Sequence, residues 1–138
     1  MKINHKYICL VLALFTLFLI PRCNSDRGGV RDVNPSEAEK IVKDNLNNTE
    51  FVILDVRTPG EFNSGHLAGA VNIDYNADDF ASKIGLLDKS RIYLVYCASG
   101  YRSAGAVSMM KDQGFKSISN LTGGLSNWAA QNLPVLTE

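Results

Sequence analysis

The 138 residues suit one domain and leave little room for a second. Hydrophobic residues make up 46% and charged residues 20%, the formal net charge is zero, and no Lys- or Arg-rich run occurs. That balance excludes a nucleic-acid partner, which calls for a basic patch. His66 and Cys97 are the only histidine and cysteine beyond Cys23, too few for a Cys/His-rich cluster, so neither a metal nor another cofactor is expected.

At the N-terminus, Lys2 and Lys6 precede an apolar run from Ile8 to Ile20, broken only by Thr16 and ended by Pro21. A positive start and a short apolar core have the shape of an export signal; a spanning helix wants about 20 apolar residues. Residues 1–23 are therefore expected to be a signal segment and the protein to be exported. Cys23 stands where a bacterial lipoprotein carries its lipidated cysteine. Ile20-Pro21-Arg22-Cys23 resembles that lipobox, with Arg22 departing from the usual small residue. Three outcomes stay open: a lipid anchor through Cys23, an ordinary cleaved signal, or a retained short anchor. The expected place is the periplasm, free or held to the membrane by an N-terminal lipid. Once the signal is removed, Cys97 has no partner for an internal disulfide, and a lone thiol in an oxidising compartment is either buried or used.

Residues 24–33 are polar and contain Gly28-Gly29, which predicts a linker ahead of a domain spanning 34–138. Asn34-Pro35-Ser36-Glu37 predicts a helix start, with Asn34 as cap, Pro35 in the first turn and Glu37 closing a capping box. Ala38, Ile41, Val42 and Leu46 continue it at helical spacing. Phe51–Val56 reads as a strand buried on both faces and Val71–Ile73 as a second. Asp78–Leu87 reads as a helix with Phe80, Ile84 and Leu87 on one side. Arg91–Tyr96 is the strongest strand. Ser103–Gln113 is a small-residue helix stopped by Gly114. Ser117–Leu121 is a weaker strand and Gly124–Asn132 a last helix. Apolar strands alternating with helices predict an α/β fold, with a mainly parallel sheet covered on both faces and ligands at the carboxyl ends of its strands.

The stretch with most chemistry is Tyr96-Cys97-Ala98-Ser99-Gly100-Tyr101-Arg102-Ser103. A strand ends at Cys97, a helix starts near Ser103, and Gly100 permits a tight turn between them. Such a loop turns several N–H groups on one spot at a helix N-terminus. Both those amides and the Arg102 guanidinium favour a thiolate, so Cys97 is predicted to be a nucleophile that needs no histidine base. Ala98, Ser99, Gly100, Tyr101, Arg102 and Ser103 are the predicted substrate-binding residues.

Cys-x-x-Gly-x-Arg-Ser after a strand resembles the active-site loop of the rhodanese-like sulfurtransferases. Asp55-Val56-Arg57, Glu61-Phe62 and Gly65-His66-Leu67-Ala68-Gly69-Ala70 are similar to that family's first signature. Gly123-Gly124-Leu125-Ser126-Asn127-Trp128 with Leu133-Pro134-Val135 looks like its closing one. The resemblance runs from Asn34 to the C-terminus and implies a five-stranded sheet with helices on both faces. It also implies a double displacement. Cys97 takes the outer sulfur of an anionic donor such as thiosulfate and passes it, from a persulfide, to a thiol or to cyanide.

Arg102 is expected to line the pocket and hold the anion. Arg57 and Glu61, four apart, are expected to pair on a short helical turn; Arg57 is also a candidate pocket wall, as is Trp128, for which a place in the core is the first expectation. Asp55 is expected to fix a loop, and His66 to be structural rather than a base. Asn132 replaces a glycine of the closing motif and is expected to tolerate a left-handed backbone. Two other readings stand beside the enzyme. One is a persulfide carrier or binding module that does not turn over. The other is a cysteine phosphatase, although such enzymes place five residues between cysteine and arginine where this loop places four.

Overall fold

The computed structural model describes residues 28–137. The signal segment 1–23 and Cys23 lie outside the described residues. Five strands form one parallel sheet: β1 (Gly29–Val33), β2 (Phe51–Asp55), β3 (Ala70–Asn72), β4 (Ile92–Tyr96) and β5 (Ser117–Leu121). Their order is β1-β5-β4-β2-β3, each pair parallel. The helices are α1 (Pro35–Asp44), α2 (Pro59–Asn63), α3 (Phe80–Gly85), α4 (Tyr101–Asp112) and α5 (Gly124–Ala130). None among the described residues is long and apolar enough to cross a membrane.

The period-two geometry of β4 divides the core. Tyr93, Val95 and Cys97 join Phe80 and Ile84 of α3 and Ala106, Val107 and Met110 of α4 on one face. Leu94 and Tyr96 join Ala38 of α1 and Trp128 of α5 on the other. A strand covered on both sides must be apolar throughout, which is why Ile-Tyr-Leu-Val-Tyr shows no alternation. Helix α1 starts as its sequence dictates: the Glu37 amide donates to Asn34 Oδ1 at 3.0 Å, and Glu37 Oε2 accepts from the Asn34 amide at 2.9 Å.

The linker expected over 24–33 is corrected by β1, which pairs with β5 from Gly29↔Ser117 to Val33↔Leu121. Only Val33 of this strand is buried. Its hold on the sheet is the ladder plus side-chain bonds, such as Asn120 Nδ2 donating to Asp32 Oδ1 at 2.8 Å. An edge strand with polar side chains carries no apolar signature.

Chain direction places the site. From β2 the chain proceeds to β3 on one side, and from β4 to β5 on the other. The switch point therefore falls between β2 and β4, whose last paired residues are Asp55 and Tyr96. The crevice beyond the carboxyl ends of those two strands is where doubly wound sheets bind ligands. Cys97 is the next residue.

Candidate functional site

Helix α4 begins at Tyr101, two residues earlier than its sequence suggests, which brings Arg102 and Ser103 into its first turn. The turn before it depends on Gly100, at φ +98°, where a Cβ would also come within 3.1 Å of the Gly123 nitrogen. Behind the loop, the first amides of α5 hold its carbonyls: Leu125 N–H donates to Cys97 O at 2.8 Å and Ser126 N–H to Ala98 O at 3.0 Å. With its carbonyls tied back, the loop turns its own N–H groups inward. Gly100 N–H donates to Cys97 Sγ at 3.1 Å.

Cys97 is fully covered, at 0% exposure. Burial alone would raise its pKa. The Ser103 N–H and hydroxyl, with the Gly100 and Ser99 amides, more than offset that, and the thiol sits below its ordinary value. The Ser103 hydroxyl also lies 3.1 Å from the Gly100 carbonyl, so its single proton has two acceptors to serve. Of the loop amides expected around the sulfur, those of Ser99, Gly100 and Ser103 are aimed at it. Tyr101 stands 87% exposed.

Two expectations about charge need correction. Arg102 does not offer a free guanidinium: Nη1 and Nη2 donate to Glu61 Oε2 and Oε1 at 2.8 and 2.7 Å, a two-point fork. Glu61 is in turn the closing residue of the α2 capping box. Its Oε2 accepts from Thr58 N–H at 3.1 Å and from the Thr58 hydroxyl at 2.9 Å. The Arg102 hydrogen bonds, helped by those of Thr58, lower the Glu61 pKa to about 2. Arg57 therefore does not pair with Glu61. Its Nη2 donates to Asp55 Oδ2 and to Gly65 O, both at 2.6 Å, and Nε lies 3.0 Å from both Asp55 oxygens. Asp55 fixes the following turn as expected, accepting from Arg57 N–H at 2.9 Å.

Trp128 takes the core place expected of it and lines an apolar cavity with Val42, Ile53 and Leu67, away from Cys97. Arg57 is buried, committed to Asp55 and set over the Tyr96 ring. Trp128 belongs to the core layer on the face opposite Cys97, its indole N–H donating to Pro134 O at 3.0 Å. His66 is structural in geometry: it stacks on Phe62 at 3.9 Å and its Nδ1 lies 3.0 Å from Phe62 O. Asn132 takes the left-handed backbone, at φ +57°. Sequence reasoning missed Glu61 as the partner of Arg102. The Thr58-Pro59-Gly60-Glu61 capping pattern was available to it, but the reach across the fold to Arg102 was not.

This loop can present a sulfur nucleophile without a base, and it can hold an anion or a second sulfur on inward amides. Comparison with known proteins agrees. Residues 38–131 match the family model described as the rhodanese-like domain. Thiosulfate sulfurtransferase 16 of Arabidopsis thaliana, a chloroplastic protein, is 34% identical over 72% of this chain and 92% of its own length. A sulfurtransferase of Allochromatium vinosum is 28% identical over 75% of this chain and 95% of its own. The crystal structure of a rhodanese-related protein from Thermoplasma volcanium superposes with a TM-score of 0.65 at 30% identity, covering 78% of this chain and 99% of that one. By the matched residues, the sheet order and the loop at the end of β4, the chain belongs to the rhodanese-like sulfurtransferase family.

Proposed function

We propose that this protein transfers sulfane sulfur through a persulfide on Cys97. The observation that carries the reading is the Cys97 sulfur on the floor of a ring of inward N–H groups, with its pKa lowered by them. In the first half-reaction the Cys97 thiolate attacks the outer sulfur of the donor. With thiosulfate, one S–S bond forms, the donor's S–S bond breaks, and sulfite leaves with the electron pair. In the second, cyanide or a thiol attacks the outer sulfur of the persulfide and the Cys97 thiolate returns. The ring amides of Gly100 and Ser103 that face the thiolate would then face the persulfide, and no proton need be taken from Cys97 by another side chain.

Intact mass of the soluble domain, reduced and then given a sulfur donor, tests this. A gain of one sulfur atom, absent in Cys97→Ser and discharged by cyanide as thiocyanate, is the expected result. No gain from any sulfane donor would end the reading.

Loading without turnover would favour a carrier served by a dedicated partner, and the complete cover over Cys97 favours that second reading. A phosphatase is disfavoured because its arginine must face the phosphate, whereas the fork of Arg102 faces Glu61. The export proposal rests on the N-terminal sequence: fractionation of cells making the full chain should place the protein outside the cytoplasm, and Cys23→Ser should release it from membranes if lipid holds it.

A further inference from the structure

We propose that Glu61 determines which sulfur donors the site accepts, by occupying the one cation the loop possesses. The proposal rests on the sulfurtransferase reading and goes beyond it to the class of donor. Between Cys97 and Ser103 the only basic side chain is Arg102. Its Nη1 and Nη2 each give a hydrogen to a separate oxygen of Glu61, at 2.8 and 2.7 Å. The pair is partly covered, with side-chain exposures of 20% and 35%, and its two-point geometry is that of the stronger ion pairs.

Glu61 is not free to swing away. The Thr58 amide and hydroxyl hold Oε2 from the other side, and that cap is built into the start of α2. Asp74 adds a further negative charge within electrostatic reach of Arg102. The Arg102–Glu61 pair thus presents no net charge to an incoming donor. What remains to receive an oxyanion is the loop amides, the Ser103 hydroxyl and the Arg102 N–H groups outside the fork, with the guanidinium charge already offset by Glu61.

A doubly charged donor such as thiosulfate gains least from this arrangement. A donor whose sulfane sulfur rides on an uncharged carrier loses nothing. The site is therefore built for an organic persulfide, R–S–SH. The Cys97 thiolate attacks the terminal sulfur, the R–S bond partner departs as the thiolate R–S⁻, and Cys97 becomes Cys97–S–SH. One S–S bond forms as one breaks, the proton stays on the transferred sulfur, and the single negative charge moves to the departing thiol.

The test compares kcat/KM for thiosulfate and for the persulfide of 2-mercaptoethanol in the wild type and in Glu61→Gln. A glutamine can still accept from Thr58, so the α2 cap survives, while the guanidinium loses its counter-charge. In a two-step displacement this parameter reports loading of Cys97 alone. The expected result is a rise of about tenfold for thiosulfate, the size of one full charge near a dianion in a half-covered site, with the persulfide changed by less than about twofold. Equal changes for both donors, or none, would overturn the proposal and leave Glu61 a structural residue.

The wild type gives an independent reading should the variant fold poorly. A neutralised Arg102 predicts that thiosulfate loading is flat or rises as salt is added; a steep fall with salt would mean a free cation and would overturn the proposal. Loading of Cys97 by the organic persulfide in the wild type keeps the sulfurtransferase reading intact whichever way Glu61 behaves. Loading by neither donor overturns both.

Discussion

Gly124→Ala should damage the site from behind without touching a side chain of the loop. A Cβ built on Gly124 falls 2.3 Å from Cys97 O and 2.6 Å from both the carbonyl carbon and oxygen of Ala98. Those are backbone atoms, so no flexible side chain can yield. Gly124 also sits at φ +58°, a conformation that costs an L-residue about 1–2 kcal/mol. The overlap forces α5 and the loop apart, which breaks one or both of the amide bonds to Cys97 O and Ala98 O, each worth about 1 kcal/mol. Together these give about 3 kcal/mol of lost stability, or roughly 10–20 °C in melting temperature for a domain of this size.

The chemical readout is separate. With the carbonyls untied, the inward N–H groups lose their aim, and the Cys97 pKa should climb back toward an ordinary thiol. Urea denaturation measures the first effect and the pH dependence of thiolate absorbance the second. Gly60→Ala is the control, since nothing lies within 4 Å of a Cβ there. If Gly124→Ala melts within a few degrees of the wild type and keeps its thiolate, α5 does not brace the loop as described.

Asp55→Asn strips the buried Arg57 of its counter-charge, and an uncompensated buried ion should cost about 3–5 kcal/mol by urea denaturation. Ser103→Ala removes one of the donors that lower the Cys97 pKa while keeping the backbone amide, so the alkylation-versus-pH midpoint should move upward with a stability loss of only about 1 kcal/mol. The Glu61 carboxyl has its pKa lowered in the folded state, so its stabilising effect is present above the unfolded value near 4.5 and is lost as pH falls toward about 2. The stability gap between wild type and Glu61→Gln, no more than about 1 kcal/mol after solvent screening, should be full at pH 7 and closing below pH 4.5 in denaturant titrations.

Local chemistry made much of this molecule legible. Asn34 and Glu37 announce α1 because a capping box is satisfied within four residues. The Cys97–Ser103 loop was readable because a two-sided buried strand, a turn glycine and a helix start occur in immediate succession. What escaped depends on distance. The Gly29–Val33 strand has one buried side chain, and its reason to be extended is the partner at Ser117–Leu121. Arg57 and Glu61 sit at helical spacing, yet each finds a better partner: Asp55 two residues back, and Arg102 across the fold. Spacing showed that the pair could meet and could not show what else each could reach. Trp128 was legible as core, but the side of the sheet that α5 covers follows from the crossover and not from the Gly-Gly motif that precedes it.

The cover over Cys97 bears on the lifetime of the protein. A low-pKa thiolate is the form that oxidants attack, and its damage climbs from a reversible sulfenic acid to sulfinic and sulfonic acids. Among the described residues there is no second cysteine to trap the first product as a disulfide and halt that climb. At 0% exposure the sulfur is closed to solvent-borne peroxide until the loop parts. The loop thus acts on one sulfur in two opposed ways: its donors make the thiol more reactive, and its cover limits what can reach it.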